Sequence, residues 1–381
     1  MANKTLTKAK AAKNDEFYTQ FYDIETEMEA YLDYNRDVFR GKTVLLPCDD
    51  PEWSNFTRYF AQNFETLGLK KLISTSFAPE SKTYKCGYQL SLFETESPKF
   101  DKDKTKTHGK IFVLTEDTTG DGVINLDDLQ WDYLDGDGDF RSEEVTKLRD
   151  EADIIVTNPP FSLFREFVAW IMEANKEFVI IGNQNAITYK EIFPLLMNNE
   201  IWLGNGFKGG NAFFRVVEDR DYASGVYDKT TGLVKFRNCC WFTNIDHGRR
   251  HQPLRLMTEA ENIRFSKHKE IKGIGYQKYE NYDAIEVNYC DAIPSDYDGI
   301  MGVYSTFFDK YCPEQFEIVG MCENKDLYKL KTKIYSTEEC KAAYYNKFNK
   351  KGTYDLNASG VLLKDGILEK VFQRILIRKR K

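Results

Sequence analysis

Short apolar runs bounded by turn-forming residues recur along this chain, and the stretches between several of them carry apolar positions at helical spacing. Thr43-Val44-Leu45-Leu46, Lys71-Leu72-Ile73-Ser74-Thr75, Ile111-Phe112-Val113-Leu114, Asp153-Ile154-Ile155-Val156, Phe178-Val179-Ile180-Ile181 and Ile201-Trp202-Leu203 read as strands. Several are apolar throughout rather than alternating, which fits parallel strands covered on both faces. Ile24, Met28, Tyr31 and Leu32 mark one face of a helix over residues 23–39. Ser54 is placed to cap a helix from Asn55 to Thr66, which Gly68 would end. Glu143 to Asp150 reads as a helix leading into the strand that ends at Thr157. Ser162 is expected to cap the next helix, with Phe164, Phe167, Val168 and Ile171 on its buried face. Tyr189 to Met197 reads as a short helix. Alternation of strand and helix predicts an α/β fold with a mainly parallel, twisted sheet.

The pattern then loosens. Asn211 to Val217 and Asn238 to Thr243 read as a β pair completing the sheet, with Asp219 to Thr231 as the excursion between them. Pro79 to Lys110 shows no clear period. Beyond Asp246 helical periodicity fades and Tyr, Lys and Asn become frequent. A boundary near residue 245 is expected, separating a catalytic α/β domain (1–245) from an α+β region (246–381).

Composition narrows the class. The 381 residues are 41% hydrophobic and 30% charged, as in a globular protein with room for two domains. The longest apolar runs are far too short to span a bilayer. Met1 to Lys13 is polar and basic, without a signal-peptide core, so a cytoplasmic protein with no membrane partner is expected. Eight cysteines form no Cys-x-x-Cys pair and read as reduced thiols. The net charge of −7 argues weakly against nucleic acid, yet a local basic face matters more than the total. Acidic residues concentrate between Glu116 and Glu144. Basic groups cluster later, at Arg249-Arg250, Lys267-His268-Lys269, Lys347 to Lys351 and Arg378 to Lys381.

The strongest chemical signal is Thr157-Asn158-Pro159-Pro160-Phe161, where a buried strand stops on two prolines. Ligands of open α/β sheets bind at that end of the strands. Asn-Pro-Pro-Phe resembles the catalytic motif of amino-group methyltransferases that use S-adenosylmethionine. A conjugated exocyclic amine is a poor nucleophile. The side-chain oxygen of Asn158 and the carbonyl of Pro159 can accept its two hydrogens and free the nitrogen lone pair. Pro159 has no N–H to compete, Pro160 keeps the backbone extended, and Phe161 can stack on a planar base. The plainer reading is a strand end turned by two prolines.

Longer segments extend the likeness. Asp49-Asp50-Pro51-Glu52-Trp53-Ser54-Asn55-Phe56, Ile155 to Glu166, Asn185 to Phe193, Trp241-Phe242-Thr243-Asn244, Tyr282 to Val287 and Tyr297 to Val303 resemble the EcoRI-type adenine-specific DNA methyltransferases. The likeness runs from about residue 14 to 320. It implies a Rossmann-like methyltransferase domain, S-adenosylmethionine as cofactor, and adenine N6 in double-stranded DNA as target. Asp49 and Asp50 can accept from the cofactor ammonium beside a helix N-terminus, or they form an Asp-Pro turn and helix cap. Asp15 to Gln20 is similar to the N-terminal Phe-Tyr-Thr motif of adenine methyltransferases, which assigns Tyr18 and Thr19 to the methionine carboxylate. Gly138-Asp139-Phe140 resembles the segment that receives the cofactor adenine, with Asp139 for its amine and Phe140 for its ring; Phe140 otherwise belongs to the core. No acidic residue ends the second strand, and Glu80 comes several residues late, so the ribose ligand stays unassigned.

A target adenine inside a duplex must be flipped out to reach Asn158. Phe213, Phe214 or Trp241 are candidates for a second aromatic face, with core as the alternative. The region after 245 is the expected target reader, with Arg249, Arg250 and Arg255 as DNA-contacting candidates. Asp117 to Asp128 resembles a calcium loop, with Asp117, Asp121 and Asp128 in position, but Thr119 and Asp128 depart from the pattern. An ordinary acidic turn is the expectation there, so no metal is assigned. A monomer, a restriction–modification or phage modification setting and a companion restriction endonuclease complete the picture. The alternatives are methylation of RNA or of a protein glutamine, and a non-catalytic calcium- or nucleic-acid-binding module.

Overall fold

The computed structural model describes residues 18–49, 54–78, 97–207, 211–215 and 226–380. Two compact units emerge. The first comprises residues up to Ile192 together with Ile201–Gly248, and the second comprises Phe193–Glu200 with Arg249–Lys381.

The first unit is built on an eight-stranded sheet. Its strands are β2 (Thr43–Leu46), β3 (Lys71–Ser76), β4 (Lys110–Leu114), β5 (Gln130–Tyr133), β6 (Ile154–Thr157), β7 (Glu177–Asn183), β8 (Trp202–Leu203) and β12 (Cys239–Thr243). Their order is β5-β4-β3-β2-β6-β7-β12-β8. The centre, β3-β2-β6-β7, is parallel, and the flanking strands pair antiparallel. β2 and β6 are buried at every position, as their unbroken apolar runs require.

Helices cover both faces. α1 (Phe21–Tyr34) buries Ile24, Met28 and Tyr31. α2 (Asn55–Gln62) begins where expected, with Ser54 Oγ accepting from the Phe56 amide at 3.1 Å. The chain breaks at Asn63 into a single further turn, and Gly68 closes that turn with positive φ. α3 (Glu143–Glu151) is capped by Ser142 and leads into β6. α4 (Phe164–Glu173) starts later than expected. Ser162 lies within a 3-10 turn, Phe161–Leu163, and does not cap the helix. The prolines hold the preceding backbone extended, so the chain needs one tight turn before it can enter α4.

A smaller four-stranded sheet, β1-β9-β11-β10, corrects the expected pairing of Asn211–Arg215 with Cys239–Thr243. β9 (Asn211–Arg215) pairs instead with β1 (Tyr18–Thr19) and β11 (Leu233–Arg237), while β12 joins β7 in the main sheet. β10 (Tyr227–Asp228) completes the small sheet.

The second unit carries β13 (Ala284–Glu286), β14 (Ile300–Val303), β15 (Phe316–Met321) and β18 (Ile375–Lys379) in the order β13-β14-β18-β15. A hairpin of β16 (Val361–Lys364) and β17 (Ile367–Lys370) stands beside it. Its helices are α5 (Glu259–Phe265) and α6 (Thr337–Phe348), each opened by a capping box. This is the α+β character expected beyond residue 245. No helix among the described residues is long and apolar enough to cross a membrane.

Candidate active site

The parallel centre of the sheet brings three chain segments to one end. The loop after β2 carries Asp49, β6 runs straight into Asn158-Pro159-Pro160-Phe161, and β7 ends at Asn183. Asp49 is buried and joins the first two. One carboxylate oxygen accepts from Ser54 Oγ at 2.7 Å and the other from Thr157 Oγ at 2.6 Å. The Asp49 carbonyl also receives the hydroxyls of Ser74 and Thr57, and its amide donates to Thr75 O at 2.9 Å. A charged acceptor with two short hydroxyl donors is strongly held. The loop after β2, the cap of α2 and the last residue of β6 are thereby fixed relative to one another.

Asn158 follows directly, with its Oδ1 shielded from solvent. Phe161 is half-buried and meets Phe214 and Phe236 edge-on, at 6.4 and 6.0 Å between ring centres. Those rings belong to β9 and β11, so the small sheet lies against the catalytic motif. Phe214 and Trp241 are fully buried and serve as core. Phe213 is exposed and lies beneath the Lys235 ammonium.

On the side expected for the cofactor, β1 sits beside the start of α2. Asn55 Nδ2 donates to Thr19 O at 2.7 Å. Thr19 Oγ1 is buried and makes no hydrogen bond among the described residues. A buried hydroxyl left unbonded costs free energy, and a bound ligand would offset that cost. Tyr18 forms the strand, but its side chain lies outside the described residues, as do Asp50 and Glu80.

The loop Asp137-Gly138-Asp139 crosses the end of β3. Ala78 N donates to Asp137 O at 2.8 Å. Gly138 has φ +80°, and a Cβ there would collide with the Ser76 carbonyl, so only glycine fits. Asp139 is gripped by Arg141 through two bonds, of 2.8 and 2.6 Å, and Arg141 reaches Glu166 of α4 at 3.2 Å. Glu166 escaped the sequence reading as a site residue, although it lies in the quoted Ile155–Glu166 segment. Phe140 packs edge-on against Phe167 and Trp170 and is 4% exposed.

Three further expectations find their places. Arg249 donates to the Asp309 carbonyl at 2.8 Å. Arg250 is 8% exposed and bonds Asn199 within the second unit. Arg255 is exposed. The acidic loop turns its carboxylates inward. Asp117 accepts from the amides of Gly120 and Gly122, and Asp128 from those of Thr118, Thr119 and Asn125. Asp121 accepts from Val123 N. No group of side chains suited to a metal ion occurs among the described residues.

A parallel sheet with an Asn-Pro-Pro-aromatic segment at its carboxyl end, beside a buried hydroxyl and a helix N-terminus, fits a methyltransferase acting on an amino group. The chain belongs to the family of the adenine-specific methyltransferase EcoRI, whose family model matches residues 5–380. It is 42% identical to the type II methyltransferase M.EcoRI of Escherichia coli, over 85% of this chain and 91% of that protein. It is 33% identical to the type II methyltransferase M.MpnI of Mycoplasma pneumoniae, over 86% and 89% of the two chains. A third relative, M.MgeORF184P of Mycoplasma genitalium, is 34% identical over 83% and 86%. No solved structure gives a significant match. The expectations of an adenine-specific DNA methyltransferase and of a Rossmann-like α/β fold are borne out by the family, the relatives and the sheet.

Proposed function

We propose that Asn158 and the Pro159 carbonyl activate N6 of a flipped-out adenine of duplex DNA for direct methyl transfer from S-adenosylmethionine. The observation that carries this is the placement of Asn158 at the end of β6, held through Thr157 by Asp49. The two oxygens accept the amine hydrogens and localise the lone pair on nitrogen. Phe161, supported edge-on by Phe214 and Phe236, would stack on the base. When bound, S-adenosylmethionine supplies an electrophilic methyl group on a sulfonium. The residues present fit it. Thr19 Oγ1 and the start of α2 suit its carboxylate, and Asp139 suits its adenine amine. Asp49 holds Thr157 and the cap of α2 in place beneath this site. The cofactor would give up its methyl group to the nitrogen and leave as a neutral thioether, and the surplus proton would pass from the nitrogen to water. The chain contributes mainly positioning, with no covalent intermediate. The setting we propose is restriction–modification, in which this chain protects DNA from an endonuclease of matching target.

Transfer of labelled methyl groups to duplex DNA, to single-stranded RNA and to a glutamine peptide tests the reading. Label in N6-methyladenine of the duplex alone is the expected result. Label in RNA or peptide in preference to DNA would overturn it.

A further inference from the structure

The second unit contains a cavity of about 380 Å³. Its floor is Arg374, only 2% exposed. The guanidinium bonds Glu286 through Nε at 3.1 Å and Asn288 through Nη2 at 3.2 Å. It also lies over the Tyr304 ring at 3.8 Å. A charge buried in this way is held in one place by its partners. The walls carry the amide groups of Gln277 and Asn288.

The rim differs from the floor. Phe372 is 78% exposed, an unusual position for a large aromatic ring. Lys364 and Lys370 of the hairpin stand beside it. Lys364 shares the Glu369 carboxylate with Lys347, so that carboxylate faces two ammonium groups. The basic run Lys267-His268-Lys269 leads directly into the wall at Glu270.

We propose that this cavity and its rim are a base-reading surface for duplex DNA. Phe372 stacks at a base step, Lys364 and Lys370 take phosphates, and Gln277 presents its amide to base edges. The combination suits that ligand. An exposed ring between cations meets a base and its flanking phosphates, and carboxamides pair bidentately with adenine edges. The proposal rests on the DNA reading of the first unit.

The test uses the full chain and fluorescent duplexes, one carrying the methylated site mapped for the wild type and one with that site scrambled. Phe372→Ala and Gln277→Ala are expected to weaken the site duplex by about tenfold, the size of one lost stacking or base contact. They should leave the scrambled duplex little changed. Lys370→Glu should weaken both duplexes and lower the salt dependence by about one phosphate. All three side chains are exposed, so folding is retained, and unchanged S-adenosylmethionine binding confirms it. Wild-type affinities in all three variants, with the wild type still methylating DNA, would overturn the surface alone. A wild type that neither binds nor methylates duplex DNA would overturn the reading beneath it. Self-association of the wild type that Phe372→Ala abolishes would assign the face to a second copy and also overturn the proposal.

Discussion

Asp49 and Thr157 meet through a 2.6 Å hydrogen bond, although 108 residues separate them. The bond closes the gap between two neighbouring parallel strands at the point where the amine-activating segment begins. It makes Asp49 a positioning residue for Asn158. Thr157→Val should lower kcat about tenfold or more, because small misplacements of a reacting group are costly. Affinity for S-adenosylmethionine should change little, and Thr157→Ser should restore the rate. Equal losses in both variants would point to packing and not to the hydroxyl.

Asp139 holds Arg141 in a two-bond pair, and Arg141 in turn reaches Glu166. This chain ties the loop that crosses β3 to the helix following the catalytic motif. Asp139→Asn should raise the Kd for S-adenosylmethionine about tenfold, in line with the loss of a charge-assisted bond. Glu166→Gln should have a smaller effect on the same Kd. Isothermal titration measures both.

The acidic loop is predicted to stand without calcium. Hydrogen bonds from the Asn125 and Thr119 amides hold the Asp128 carboxyl down to about 2. A carboxyl lowered on folding stabilises the protein above its ordinary value near pH 4, and the contribution is lost as pH falls through the folded value. Wild type should therefore melt above Asp128→Asn at neutral pH, with the gap narrowing as pH drops from about 4 towards 2. Added calcium should leave both melting temperatures in place, because Asp117 and Asp128 already accept from their own loop. A calcium-dependent rise reversed by chelator would contradict this.

Arg250 is predicted to act through stability. Removing the guanidinium loses a part-buried bond to Asn199 and the packing of a side chain that is 8% exposed. Arg250→Ala should cost about 1–3 kcal/mol, seen as a lower melting temperature. Arg255→Ala, at an exposed position, should leave melting unchanged.

The parts of this fold that are local in sequence were legible there. The apolar runs of β2 and β6, the Ser54 cap and the Asn-Pro-Pro-Phe stop each follow from a few consecutive residues. The partners of β9 were not, because antiparallel pairing is decided over distance and Leu233–Arg237 is as strand-like as Cys239–Thr243. The Asp49 brace required knowing that β2 and β6 are adjacent. Phe140 and Arg250 were ambiguous for a related reason. An aromatic beside a carboxylate and a pair of arginines have the same sequence whether they face a ligand or the core.

The most direct test is to map methylated adenines in DNA from cells expressing this chain or its Asn158→Ala variant. The wild type should mark N6 of one adenine within a single recurrent sequence. The variant should lose that mark by at least about a hundredfold in rate, the scale for removing one preorganised polar group from a transition state. Undiminished methylation by Asn158→Ala, or the absence of any methylated adenine with the wild type, would contradict the account.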